Sequence, residues 1–315
     1  MKEDLDIHIL QSQEWGEFKA RAGTSPVRVG GIQYTKHKIP LLNKYIAYAP
    51  KVNFYKQKFS WKELKDSLKD EKCVAIKFDV PNVIKQEKPG NEYKKLIETL
   101  EKHCKKSPKS TFAEWNVLLD ITPYEDDLIR NFSQKTRYNA RLSAKKGVEV
   151  KIENNEKGIK IFNKLQNETA KRQHFLTHPD SYYEKVFETL NSHNMANILI
   201  AYYKKEPLVA WMLFNKDGTL YYAYGGSTTA HRKLMASNLI AWEAIKLGKR
   251  LDCKMFDMWG ATGDKDNAYW GFTRFKLGYG GELVKYIDSY DFIVNKPIYK
   301  LFNIAYAAYW KLRHR

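Results

Sequence analysis

A chain of 315 residues is longer than one hydrophobic core usually organises, so two domains are expected. Hydrophobic residues make up 43% and aromatics 14%, which excludes a disordered chain. The formal net charge of +18 favours a polyanionic partner such as nucleic acid, a nucleotide diphosphate or an anionic membrane face. The bland alternative is AT-rich coding, which enriches Lys, Asn, Ile and Tyr together. The opening MKEDLDIHIL mixes acids and bases without an apolar block, so no secretory signal is expected. The apolar stretch 291–312 is broken by Asn295, Lys296, Pro297, Lys300 and Asn303, so no membrane span is expected either. A soluble, cytoplasmic protein is the expectation. Cys73, Cys104 and Cys253 are too scattered for a disulfide framework or a metal clip and read as reduced packing thiols.

In chain order, a short helix is expected over 8–20, with Trp15 and Phe18 on one face, then strands at 27–34 and 44–49. Residues 61–68 have helical spacing, with Ser60 as N-cap and Glu63 three positions on in a capping-box pattern. The apolar strand 73–80 closes on Phe78-Asp79, and a helix at 92–103 and a strand at 115–121 complete the first half. Helices follow at 124–133, 157–173 and 181–192, then strands at 197–203 and 208–214. Asp217-Gly218 is a hairpin signal into a strand at 219–224. A long helix at 235–247 precedes a strand at 254–259, which again closes on Phe256-Asp257. This recurrence suggests a duplicated α/β unit, with domains at 1–145 and 146–295 and a terminal helix, 296–315, packing on the first.

Four segments carry chemistry. Residues 271–281 alternate aromatics with glycines, a composition that lets backbone approach a ligand closely. Within them Lys276, between Phe275 and a glycine turn, can aim an ammonium at an oxyanion or a phosphate. The plain alternative there is a β-bulge at a sheet edge. Tyr224-Gly225-Gly226-Ser227 reads as a sharp bend after a strand tip, or as an ordinary strand exit. His174 and His178 stand four apart, but no third ligand is apparent, so no metal is expected. Arg137, Arg141, Lys145 and Lys146 lie at near-helical spacing that suits phosphates, or a solvated helix face. A nucleophile elbow, a P-loop and a dinucleotide fingerprint are all missing.

In this order the segments resemble the FemABX family of peptidoglycan bridge-forming aminoacyltransferases. The matching pieces are Gln11-Ser12 with Trp15, Thr136-Arg137-Tyr138-Asn139, Lys145-Lys146-Gly147-Val148 and Tyr224-Gly225-Gly226-Ser227. Met235-Ala236, Phe256-Asp257-Met258-Trp259-Gly260 and Phe275-Lys276 with its following glycines complete the set. The resemblance implies an α/β protein of two tandem GNAT-like (acyl-CoA N-acyltransferase-like) domains with mixed sheets flanked by helices. It implies an aminoacyl-tRNA donor and a muramyl pentapeptide acceptor, either UDP-linked or lipid-linked, and no cofactor. The coiled-coil arm of some members is absent, because His193 is followed almost at once by a strand. By resemblance, Lys19 holds the phosphate end of the precursor, Tyr182 and Tyr224 line the acceptor channel, and Phe275 and Lys276 stand at the transfer centre. His178 replaces an arginine common in the family and offers no bidentate fork.

The implied chemistry is aminolysis of the ester at the tRNA 3′ end, with Lys276 on the oxyanion, Phe275 shaping the pocket and Tyr224 orienting the acceptor. An acetyl-CoA-dependent N-acetyltransferase is the rival enzyme, though Met235 occupies the place of the first glycine of a pyrophosphate-binding turn. A non-catalytic binder of RNA or of the membrane face is the rival outside catalysis. It is motivated by the charge and by the basic aromatic tail with Tyr306, Tyr309, Trp310, Lys311, Arg313 and Arg315. That tail also allows peripheral contact with the inner membrane face, and a monomer is the simplest assembly.

Overall fold

A computed structural model describes the backbone of residues 5–313 and the side chains of 5–308; the side chains of Tyr309, Trp310, Lys311, Arg313 and Arg315 lie outside the described residues. The chain forms two compact units, one made of the residues up to Glu114 together with those from Tyr286 on, the other of Trp115–Lys285.

In the first unit a single turn, Ile9–Gln11, leads into α1 (Gln13–Arg21), whose start is capped by Ser12 Oγ accepting the Trp15 N–H. The single strand expected at 27–34 is a hairpin of β1 (Pro26–Val29) and β2 (Ile32–Lys38), because Gly30 at φ +55° reverses the chain between them. Then β3 (Tyr45–Pro50), α2 (Trp61–Asp70) and β4 (Cys73–Asp79) form a parallel crossover. Ser60 caps α2 as its sequence indicates, and Leu64 and Leu68 bury its inner face. The helix α3 (Asn91–His103) and the two-residue β5 (Lys105–Lys106) follow.

The second unit runs β6 (Trp115–Asp120), α4 (Glu125–Asn131), α5 (Gln134–Lys145), β7 (Val148–Ile152), α6 (Glu156–Gln173) and α7 (Asp180–Ser192). It continues through β8 (Ala196–Tyr203), β9 (Glu206–Lys216), β10 (Thr219–Ser227), α8 (Ala236–Arg250), β11 (Met255–Ala261), α9 (Trp270–Leu277) and β12 (Glu282–Lys285). Only 193–195 separate α7 from β8. The chain then returns to the first unit as β13 (Tyr290–Ile293) and α10 (Lys296–Arg313).

Each unit is built on one mixed sheet, of order β1-β2-β3-β4-β13-β5 and β12-β6-β11-β10-β9-β8-β7 respectively. Both contain an antiparallel meander, one parallel pair made through a helix, and an antiparallel return. The junction falls at 114/115, not at 145/146. The reason is pairing: β6 bonds to β11 and β12, which commits residues from Trp115 on to the second sheet. The three cysteines are free and buried, as packing thiols should be. Among the described residues no helix is long and apolar enough to cross a membrane.

The bend expected at Gly225-Gly226 is not there; β10 runs straight through both glycines to Ser227. They are required by close approach instead. A Cβ on Gly226 would stand 2.4 Å from Gln166 N and from the Leu165 carbonyl carbon of α6, and one on Gly225 would stand 2.3 Å from Tyr222 Oη. Gly226→Ala is therefore expected to destabilise the protein by about 1–3 kcal/mol, since the obstacle is helix backbone that cannot swing aside. The check is a lower urea midpoint at unchanged slope; a midpoint equal to wild type would remove this account.

Candidate active site

The parallel strands β10 and β11 pair over only three positions, Thr219↔Met255, Leu220↔Phe256 and Tyr221↔Asp257. Beyond them β10 stays with β9, while β11 bulges between Asp257 and Gly260 and goes on with β6. The gap between the diverging strands is a cavity of about 700 Å³. Its walls include Tyr222, Tyr224 and Ser227 of β10, Trp259 and Gly260 of β11, and Phe272, Phe275 and Lys276 of α9.

Lys276 is 1% exposed. Its Nζ donates to the carbonyl oxygens of Gly260 at 2.5 Å and Trp259 at 3.2 Å, and stands 4.1 Å from the centroid of the Phe272 ring. Burial pushes its pKa down from 10.5 to about 7, partly opposed by the charge of Asp257. An ammonium has three N–H groups. Two are taken by carbonyls, which leaves one for a group bound in the cavity. The segment expected to be a glycine turn is instead the helix α9, with the glycines following it: Gly278 closes the helix and Gly280, at φ +85°, turns the chain out. A Cβ on Gly278 would meet Thr136 Oγ1 of α5 at 2.3 Å, so this glycine also lets the end of α9 pack on α5.

The two carbonyls face Nζ because Trp259 adopts φ +64°, rare for a bulky side chain. The Asp257 carboxylate holds that conformation, accepting the Trp259 N–H at 2.7 Å and the Asn116 Nδ2 at 2.9 and 3.0 Å. Asn116 and Phe272 escaped the sequence reading. The recurrent Phe-Asp ending marked Asp257 as a strand end without revealing its hydrogen bonds.

Tyr224 projects into the cavity, and burial raises its pKa well above the ordinary value. Its hydroxyl is hydrogen-bonded to that of Tyr182 on α7, and the Tyr182 ring stacks on exposed His178 with centroids 3.8 Å apart. Tyr183 adds an edge contact to Tyr224 at 5.0 Å. Arg172 grips the far end of β10, donating to Ser227 O at 2.8 Å and Ser227 Oγ at 3.1 Å. The fold thus brings Lys276, Phe275, Tyr224, Tyr182 and His178 into one connected group.

The basic segment lies apart from that cavity. Arg137 and Arg141, with Gln134, Lys135 and exposed Tyr138, line a shallow depression on α5 of about 370 Å³. Lys145 ends this helix and Lys146 caps it, donating to Lys233 O at 3.3 Å. The start of α5 is tied to the lysine helix, since the Ser133 N–H donates to Gly278 O at 2.8 Å. Lys19 belongs to the first unit, half-buried in the last turn of α1, where burial lowers its pKa and its charge lowers that of His37. Among the described residues no three His, Cys, Asp or Glu side chains gather as a metal site would require.

A model of the FemAB family matches this chain in two stretches, residues 2–204 and 192–307. The lipid II:glycine glycyltransferase of Staphylococcus epidermidis is 25% identical over 378 residues, covering 93% of this chain and 89% of the relative. That alignment is longer than the 315 residues of this chain, so the relative carries insertions absent here. A crystal structure of FemX superposes with a TM-score of 0.80 at 20% identity, over 93% of this chain and 94% of that one. A tandem GNAT protein from the clavulanic acid biosynthesis pathway superposes at 0.52 and 9% identity, over 85% and 81%. These likenesses establish a tandem GNAT-like α/β fold.

The buried lysine has a stability signature. Because its native pKa lies below its unfolded one, the unfolded chain binds the extra proton between them. The penalty is complete below pH 7 and is relieved as pH rises toward the unfolded value. Measured against Lys276→Met, the unfolding free energy of the wild type is expected to climb by about 1.4 kcal/mol per pH unit between about pH 7.5 and 9.5. A difference that stays flat with pH would mean that the amine is solvated.

Proposed function

This chain belongs to the FemAB family, and from that premise we propose that it transfers an amino acid from aminoacyl-tRNA to an amine of a peptidoglycan precursor peptide, in interpeptide bridge synthesis. The observation that carries the reading is Lys276, a dry ammonium with one donor left for the cavity.

The acceptor amine attacks the ester carbonyl carbon, the carbonyl oxygen takes up negative charge, the bond to the ribose oxygen breaks and an amide forms. The free N–H of Lys276 meets the charge as it develops, in surroundings too apolar to screen it. Phe275 and Phe272 wall the reacting carbon. Tyr224, held by Tyr182, orients the acceptor. No Asp or Glu lines the cavity, and Asp257 already serves Asn116 and the Trp259 N–H. The proton lost by the attacking amine therefore passes to the departing ribose oxygen within the substrates.

The Staphylococcus relative is named for lipid II and glycine, which favours the lipid-linked precursor as acceptor here over the UDP-linked one. Lys19 serves its phosphates, and His178 adds a flat ring beside Tyr182. Arg137, Arg141, Lys145 and Lys146 serve the tRNA backbone, with no acidic side chain between residues 134 and 146. Acetyl-CoA is disfavoured as donor. Met235, at φ +56°, occupies the N-cap of α8, where a pyrophosphate cradle needs bare amides.

Incubation with a pool of charged tRNAs and lipid-linked or UDP-linked muramyl pentapeptide, read by product mass, tests the reading directly. Lys276→Ala is expected to lower kcat by about 10²–10³-fold, the usual size of one lost oxyanion donor; full activity in that variant would discard the assignment. Arg137→Glu/Arg141→Glu is expected to raise KM for charged tRNA by roughly tenfold at low salt, and by less as salt rises. An unchanged KM would move the tRNA contact elsewhere.

A further inference from the structure

The helix α10 has two unlike faces. On one, Tyr299 donates to Asp291 Oδ2 at 2.5 Å, Phe302 stacks near Tyr306 with centroids 5.7 Å apart, and Ile298 and Asn303 are half-buried. This face fastens the helix to its own unit. The other face carries Leu301, 61% exposed, and Ile304, 59% exposed, with Ala305 and Ala308 also exposed. Positions 301, 304, 305 and 308 follow the i, i+3, i+4, i+7 spacing of an apolar helical stripe. In a helix of a folded domain that stripe normally faces the core, whereas here it faces outward.

Charge selects the occupant. The 18 residues of α10 contain Lys296, Lys300, Lys311 and Arg313 and no acid at all. Lys296 and Lys300 are exposed beside the stripe, and Lys109 Nζ lies 6.0 Å from the Tyr306 ring. A second copy of this chain would set these like charges against one another. A cationic helix with an apolar outer face and too little hydrophobic length to span suits a bilayer whose headgroups are anionic, lying in the plane of the interface. We propose that the outward stripe of α10, Leu301, Ile304, Ala305 and Ala308 with Lys296 and Lys300 beside it, docks this protein on an anionic phospholipid surface. The inference stands on this helix alone and holds whether or not the transfer reaction is as described above.

The experiment is co-sedimentation of the full chain with vesicles of phosphatidylcholine alone and of phosphatidylcholine containing about one-third phosphatidylglycerol, an anionic fraction large enough to attract juxtamembrane bases. The wild type is expected to partition onto the anionic vesicles and to be released by high salt. Leu301→Glu/Ile304→Glu is expected to weaken partitioning at least tenfold while leaving the thermal unfolding midpoint in place, because both side chains already face solvent. The charge-matched control Tyr124→Glu/Ile152→Glu, exposed on the other unit, is expected to lower it by less than half as much. Equal partitioning of the two double variants, or binding indifferent to the anionic lipid, overturns the proposal. So does a dimer seen by sedimentation velocity without vesicles and lost in Leu301→Glu/Ile304→Glu, which would make a second copy the occupant.

Discussion

The site depends on one interruption. After Tyr221↔Asp257 the parallel strands β10 and β11 stop sharing hydrogen bonds, and each turns to its other neighbour for the rest of its length. Backbone groups at a divergence would be left unpaired in an apolar interior, which is costly. Here the carbonyls of Trp259 and Gly260 turn to Lys276, and the Trp259 amide turns to Asp257. The lysine is thus part of what makes the opening possible, as well as the charged group inside it. In the first unit β3 and β4 stay paired over six positions, to Pro50↔Asp79, and the corresponding gap does not open.

Burying an ammonium costs stability, and the structure offsets that cost only in part. Two carbonyl acceptors and the face of Phe272 replace some of the water lost, and Asp257 adds a favourable charge, yet the amine still loses most of its excess basicity. A solvated lysine would keep its proton more firmly but would be screened by the water that keeps it. The incompletely satisfied state is the useful one for an oxyanion, because charge arriving on a bound ester supplies the interaction that the resting site lacks. This also explains the apolar walls. Tyr222, Phe272 and Phe275 exclude water from a position where it would compete both with the lysine and with the attacking amine.

Local chemistry made much of the fold legible. Ser60 with Glu63 gave the start of α2, Asp217-Gly218 gave the β9–β10 hairpin, and the apolar run from Cys73 gave β4. The errors have a common source. Gly225 and Gly226 were read as a bend because glycine is usually seen through its own dihedrals, whereas these two answer to helix α6, some sixty positions earlier. The segment Trp270–Leu277 hides its helix, since a glycine and three aromatics among eight residues carry weak helical propensity and packing on β11 decides the matter. Pairings of β6 and β13 across long stretches of sequence have no local signature, so the unit boundaries at 114/115 and 285/286 were out of reach. Lys276, Phe275 and Tyr224 were legible through their family pattern, while the Asn116–Asp257 support was not, because it joins residues 141 positions apart.

The duplication shows where function was added. Phe78-Asp79 and Phe256-Asp257 lie at matching places, on the second strand of each parallel pair. Asp79 is buried and accepts the Thr111 and Phe112 amides, the Ser289 hydroxyl and the Tyr48 hydroxyl. Asp257 likewise accepts a backbone amide and a side-chain donor. A buried carboxylate saturated with donors is therefore the shared structural device, a tie that fixes the chain as it leaves the pairing. In the first unit the chain breaks from the strand at once, through Val80 at φ +43° and Pro81. In the second it continues past the tie for four more residues, and those residues supply Trp259 and Gly260. The chemistry proposed for Lys276 thus required no new anchor. It required a strand that outlasts its parallel partner, so that two carbonyls freed from the sheet could hold a lysine in their place.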